Sequence, residues 1–390
     1  VSSSERWIAL AEPTIGGNAA RYLEECLSSN FVSSVGPFVE RFETAFAARV
    51  GARHAVACAS GTAAIHLALL VLGVGPGDDV LVPSQTFVAS VNPIRYVGAT
   101  PILVDSESET YNMDPDLVVD ELDRRARLGE AQPRAIELVH LVGHPARLGG
   151  VLEAAERLGV AVFEDASEAL GATYLGGGLD GRAVGTIGRL GCYSFNGNKL
   201  ITTGGGGMVV TDDEALARRV KHLSTQARLP GRAYDHDAVG FNYRLSNLAA
   251  ALGLAQLEQL GALLAARRAI AARYEAAVAS IPGVRPAPRA SWADPSFWLY
   301  SARLDPTRTD LQRDALLDGL AERAIEARPL WTPLHLTELY GSARRIGGAV
   351  AEDIFRSAFS LPSSSSLSAA DQDRVIHALL DVAAAATAPA

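Results

Sequence analysis

Across 390 residues the chain carries a formal net charge of −9 with no basic cluster, which argues against a nucleic-acid or membrane-surface protein. Hydrophobic residues make up 48%, enough for the core of two domains or of one large α/β body with an appendage. The three cysteines (Cys26, Cys58, Cys192) have no metal-ligand spacing and are too few for a disulfide framework, which suits a reducing, cytoplasmic setting. The opening "VSSSERWIALAEP" lacks the pattern of a secretory leader, and the apolar stretches are too short or too interrupted to predict a membrane span.

Taken in chain order, the first two-thirds alternates short β-type runs with helical ones. "AVACAS" leads into the helical "GTAAIHLALLVLG". At their junction, "ASGTAAIH" combines a possible N-cap with backbone N–H groups and the Thr62 hydroxyl facing outward. A helix start of this kind attracts anions, although an N-capped tight turn is the plainer reading. "DVLVPS" then precedes "TFVASVNPIRYVG", where Phe87 reads by itself as a core residue. "TPILVD", "AIELVHLVG" and "VAVFEDAS" predict further strands, with the helical "LGGVLEAAERLG" before the last of them. Buried, non-alternating strands between helices predict a mostly parallel sheet covered on both faces. Asp165 ends one strand, at the edge where open α/β sheets place ligands, and Glu168 follows three residues on. A carboxylate there either caps the next helix or faces a basic ring nitrogen.

"LGCYSFN" and "GGMVVTDD" predict two more strands, and the loop between them holds Lys199 and four consecutive glycines. The chain has only two lysines against 33 arginines, so a retained amine asks for a reason. Unlike guanidinium, an amine can lose its proton and form an imine. Lys221, among helix-face arginines, reads as an ordinary solvated lysine. After Asn242 the sequence turns to long alanine-rich helices, "NLAAALGLAQLEQLGALLAARRAIAARYEAAVASI". Short strands ("FWLYSARL") and helices follow, and a serine-rich turn precedes the final helix. The expected division is a large α/β domain over 1–250 and a smaller α+β domain over 251–390. Together an anion site, an aromatic, a strand-end carboxylate and a loop lysine are the parts that pyridoxal 5′-phosphate requires.

In "SGTAAIHLAL", "GDDVLVPSQTFVAS", "FEDASEALGATY", "GCYSFNGNKLITTGGGGMVVTDD" and "VGFNYRLSNLAAALGLAQLEQL" the chain resembles the DegT/DnrJ/EryC1/StrS nucleotide-sugar aminotransferases. The resemblance runs over nearly the whole chain. It implies a three-layer αβα fold of the aspartate aminotransferase-like type (fold type I), and pyridoxal phosphate as cofactor. By that resemblance Lys199 bonds the cofactor and shuttles the proton, Asp165 pairs with the ring nitrogen, and Phe87 stacks on the ring. Gly61, Thr62 and Ser194 match phosphate contacts, and Glu168 stands near the phenolic oxygen. Asn242 matches a residue that reaches the neighbouring subunit's phosphate, which implies a homodimer with shared sites. His335, in "LWTPLH", falls in a segment that faces substrate in the family. One departure is Arg147 in "GHPARL", where many relatives have Asp.

"NFVSSVGPFVERFE" and "FNGNKLITTGGGG" look most like enzymes that use glutamate to aminate UDP-2-acetamido-2,6-dideoxy-hexos-4-uloses at C4. The same reaction on a GDP- or dTDP-linked keto sugar is the alternative. A family dehydratase carries histidine where this chain has Lys199. A non-catalytic ligand-binding member would keep the fold and use the lysine loop only as structure.

Overall fold

The runs read as strands pair into one large sheet. The computed structural model describes residues 6–309 and 311–385, so the first five residues of the segment compared with a leader lie outside the described residues. The large sheet contains β1 (His54–Cys58), β2 (Asp79–Pro83), β3 (Thr100–Val104), β4 (Ala135–Val139) and β5 (Ala161–Asp165). It is completed by β7 (Gly191–Ser194), β8 (Gly207–Thr211) and β13 (Arg345–Ile346), in the order β1-β8-β7-β5-β4-β2-β3-β13. Neighbours are parallel except at β8, which runs antiparallel to both β1 and β7. The short strands β6 (Thr173–Tyr174) and β10 (Ala293–Asp294) pair with each other. A separate antiparallel sheet holds β9 (Val284–Arg285), β11 (Tyr300–Leu304), β12 (Arg328–Pro329) and β14 (Ala358–Leu361).

Helices cover both faces of the large sheet, which is why its strands read as continuous apolar runs. On one face α3 (Gly61–Val71), α4 (Val88–Tyr96) and α7 (Glu214–Ser224) pack over Val80, Val82, Phe163, Cys192 and Val209. On the other, α1 (Ala19–Ser28), α2 (Pro37–Val50), α5 (Pro115–Leu128), α6 (Gly149–Leu158) and α8 (Asn247–Glu258) cover Leu81, Ile136, Leu138, Val162 and Met208. This is the three-layer αβα architecture of fold type I. A third apolar cluster joins α9 (Leu260–Val278), α10 (Arg313–Ala321) and α12 (Ala369–Ala385) to β11 and β14. The remaining helix, α11 (Ala349–Ser357), has its first turn capped by the buried Asp105, which accepts from the amides of Gly348 and Ala351.

The alanine-rich run after Asn242 is two helices bent by 61° between α8 and α9. Ala250, Ala251 and Ala255 of α8 and Leu260, Leu263 and Leu264 at the start of α9 belong to the core under the large sheet, whereas Ile270, Ala271 and Tyr274 farther along α9 belong to the third cluster. The expected division after residue 250 falls inside α8, and the change of core comes within α9, between Leu264 and Ile270. Among the described residues no single helix is long and apolar enough to cross a membrane.

Candidate active site

The parallel strands end at the edge where α3 and α4 begin, and two glycines let these elements meet. A Cβ on Gly207 of β8 would lie 2.3 Å from the Ser60 carbonyl oxygen, and one on Gly61 would lie 2.7 Å from Ser194 Cβ. Ser60 caps α3, its hydroxyl accepting from the Ala63 amide at 3.0 Å, so the plain reading of that turn holds. The anion-site reading is compatible with it, because Gly61 and Thr62 line a cavity of about 290 Å³ at the same helix start.

Side-chain alternation along β5 separates its two acids. Glu164 turns to the opposite face, where it meets His140 Nε2 at 3.0 Å and accepts from the amides of Gly185, Ile187 and Gly188. Asp165 reaches the cavity. Ser90 Oγ donates to its Oδ2 at 2.9 Å and the Ser167 amide to its Oδ1 at 3.0 Å. Each oxygen thus keeps lone-pair capacity for a further donor.

Lys199 enters from the loop after β7. Its Nζ lies 3.8 Å from Glu168 Oε1 and 3.7 Å from the centre of the Trp298 ring. Burial pushes the Lys199 ammonium below its ordinary range, and the charges of Glu168 and Asp165 oppose that. Burial likewise pushes the Glu168 carboxyl up, with Lys199 opposing. Both shifts favour the uncharged forms. Glu168 is held by Trp331 Nε1 at 3.1 Å and by the Val142 amide at 2.8 Å. Val142 has φ of 46°, an uncommon conformation for a β-branched residue.

Seven predicted residues line this one cavity: Gly61, Thr62, Phe87, Asp165, Glu168, Ser194 and Lys199. Phe87 is not core: it is 47% exposed, because it sits at the junction before α4 with its ring 4.8 Å from that of Trp331. Asn242 does not line the cavity; it is exposed, beside Thr225. His335 is also elsewhere. Its ring is buried, with Nδ1 2.6 Å from Ser84 Oγ and Nε2 3.2 Å from Glu352 Oε1, and it does not line this cavity. Arg147 pairs with Glu109 and lies over Trp292, away from the cavity. Sequence reasoning missed Trp298 and Trp331, which line the cavity, and Ser90 and Ser167, which orient Asp165. Only the scarcity of tryptophan, four in the chain, could have drawn attention to the first two.

The residues present fit pyridoxal phosphate. Helix-start amides and two hydroxyls suit a phosphate, Asp165 has acceptor capacity for a protonated ring nitrogen, and Phe87 offers an exposed ring face beside a desolvated amine. Fold and site together define a pyridoxal phosphate-dependent aminotransferase. The chain belongs to the DegT/DnrJ/EryC1/StrS aminotransferase family, whose profile matches residues 13–380. It is 40% identical to the GDP-perosamine synthase of Caulobacter vibrioides over 373 residues, 95% of this chain and 97% of the relative. Among solved structures, the aminotransferase TlmJ of Streptoalloteichus hindustanus superposes with a TM-score of 0.87 at 30% identity, covering 98% of this chain and 100% of that one. Spr1654 of Streptococcus pneumoniae in its PLP form gives 0.88 at 26% identity, covering 98% and 100%. The chain is a sugar-nucleotide aminotransferase, with a sugar nucleotide and an amino donor as its substrates.

Proposed function

We propose that the enzyme moves the amino group of glutamate to the C4 ketone of a GDP-linked 4-keto-6-deoxy sugar. The chemistry rests on one observation: the buried Lys199 amine and the Asp165 carboxylate share a cavity that begins at the amides of α3. The sugar rests on the likeness to a GDP-perosamine synthase. The motifs "NFVSSVGPFVERFE" and "FNGNKLITTGGGG" favour a second reading, a UDP-linked 2-acetamido keto sugar.

In this reading the α3 amides at Gly61 and Thr62, with the Thr62 and Ser194 hydroxyls, hold the cofactor's phosphate. Phe87 covers its ring, and Glu168 stands by its phenolic oxygen. Asp165, fixed by Ser90 and Ser167, would accept a hydrogen bond from the protonated ring nitrogen and so keep it protonated. Bound pyridoxal phosphate supplies the electron sink and carries the amine between the two half-reactions. Lys199 Nζ takes a proton from the α-carbon of glutamate in the first half-reaction and delivers one to the sugar C4 in the second. Burial keeps that amine available as a base. Trp298 and Trp331 wall the cavity and limit the access of water to it.

Lys199 is the only Lys, Arg or His among the described residues lining the cavity. A phosphate and a donor with two carboxylates carry more negative charge than one amine offsets. This deficit and the exposure of Asn242 support a homodimer in which Asn242 of one subunit serves the other's phosphate. Purified enzyme given glutamate and GDP-, UDP- and dTDP-linked 4-keto sugars in turn tests the reading. Amination of the GDP sugar with the highest kcat/KM is expected; preference for the UDP-acetamido sugar would select the second reading.

A further inference from the structure

Glu137 takes no part in the site above, and among the described residues it is the carboxyl whose two oxygens are both buried without a partner. It lies in the middle of β4, fully buried, and neither carboxyl oxygen has a hydrogen-bond partner. Across the sheet Glu137 is in register with Phe163, while Val139 is in register with Asp165. Side chains alternate along a strand, so Glu137 and Asp165 project from the same face as diagonal neighbours, a separation that a long side chain can span. The face is otherwise apolar, with Val80 and Val82 of β2, Ala135 and Phe163 packed beneath α3 and α4. The ionisable groups near Glu137 are Asp165 on β5 and the Cys192 thiol on β7, with Cys58 beyond it on β1. Neither nearby helix supplies a countercharge: His66 of α3 turns to Tyr243, and Arg95 of α4 to the Ala99 carbonyl.

The two acids are treated unequally. Asp165 receives two donors, and Glu137 receives none. Two neighbouring buried carboxylates cannot both ionise cheaply, and the charge settles on the one that is hydrogen-bonded and faces the polar cavity with Lys199. We propose that Glu137 and Asp165 form a buried carboxyl pair carrying one negative charge, in which Glu137 keeps its proton and, as a positioning residue, confines the charge to Asp165, the member that faces the cavity. In support, burial and then the Asp165 charge push the Glu137 carboxyl well above its ordinary range. The Cys192 thiol is pushed up in the same way and adds no charge. The pair goes beyond the substrate reading and does not depend on which sugar is used.

Infrared difference spectra of wild type against Glu137→Gln, recorded on holoenzyme and on cofactor-free protein, test the pair. At neutral pH the wild type should show the carbonyl stretch of a buried protonated carboxyl that the variant lacks. In an Asp165→Asn background that band should titrate at a pH lower by about one unit or more, because the neighbouring charge is gone. A carboxylate band for Glu137 at neutral pH, or a midpoint that Asp165→Asn does not move, would overturn the proposal. Should Glu137→Gln fold poorly, Glu137→Leu serves through its stability. An acid whose folded pKa is raised stabilises the fold below its unfolded pKa and loses that contribution as pH rises through the folded value. The melting temperature of Glu137→Leu should therefore gain on wild type as pH rises above the ordinary carboxylate range; a difference constant with pH would refute the buried acid.

Discussion

Lys199 and Lys221 carry the same amine into opposite settings. Lys221 is half exposed, its Nζ 2.6 Å from Glu43 Oε1 in a surface ion pair, whereas the Lys199 side chain is only 13% exposed, packed against Trp298 and Glu168. Borohydride reduction of the holoenzyme should fix the cofactor on Lys199 and leave Lys221 unlabelled in peptide mass spectrometry; label on Lys221 would refute the assignment. Glu168 opposes the effect of burial, because its charge raises the Lys199 pKa. Glu168→Gln should let the amine lose its proton in more acidic solution. The acid limb for capture of pyridoxal phosphate by the apoprotein then moves to lower pH, as stopped-flow absorbance reads. An unmoved limb would mean that Glu168 carries no charge when the cofactor arrives. Asp165→Asn should keep the fold, judged by circular dichroism, and lower kcat by roughly 10²–10³-fold, since the amide cannot hold the ring nitrogen protonated. Near-normal turnover would mean that the carboxylate is misassigned.

At the scale of elements, the site depends on how closely β8 approaches the start of α3. A Cβ on Gly207 would stand 2.3 Å from the Ser60 carbonyl oxygen, a backbone atom that cannot swing aside. Gly207→Ala should cost about 1–3 kcal/mol in urea unfolding. It should also weaken cofactor retention, because Ser60 opens the helix whose amides face the phosphate. Gly75→Ala meets nothing within 4 Å and serves as the control, with stability close to wild type. Equal effects of the two substitutions would show that close approach is not what Gly207 provides. The same contact explains the glycine run beside Lys199: Gly205 and Gly206 line the cavity, and Gly207 admits the neighbouring strand to the helix start.

For the whole molecule, the proposed shared site has a direct test. Lys199→Ala and Asn242→Ala subunits, each inactive alone, should form mixed dimers with one intact site. Statistical exchange would restore about a quarter of wild-type activity. No recovery after verified exchange would place Asn242 outside the partner's site. The smaller body is proposed to begin within α9, between Leu264 and Ile270, where the core changes. The division is not a clean cut in the chain, since β13 returns from beyond it to pair with β3, and Ile8 pairs with Ile325.

The sequence by itself determined the alternating strands and helices, the strand-end Asp165, the helix-start Gly61 and Thr62, and the lone amine in a glycine-rich loop. Each is a local matter: strand period, capping chemistry and residue type are set by neighbours in the chain. What lay far apart in the chain was decided by tertiary structure alone. Trp298 and Trp331 reach the Lys199 cavity only because the chain beyond α9 folds back, with Gly143 packed so tightly that a Cβ would lie 2.8 Å from the Trp298 amide. His335 matches a substrate-facing segment in sequence yet spends its ring on Ser84 and Glu352. Glu137 reads in sequence as one polar letter in an apolar strand. Its pairing with Asp165 follows from the β4–β5 register, which depends on how two distant segments bury their apolar sides together.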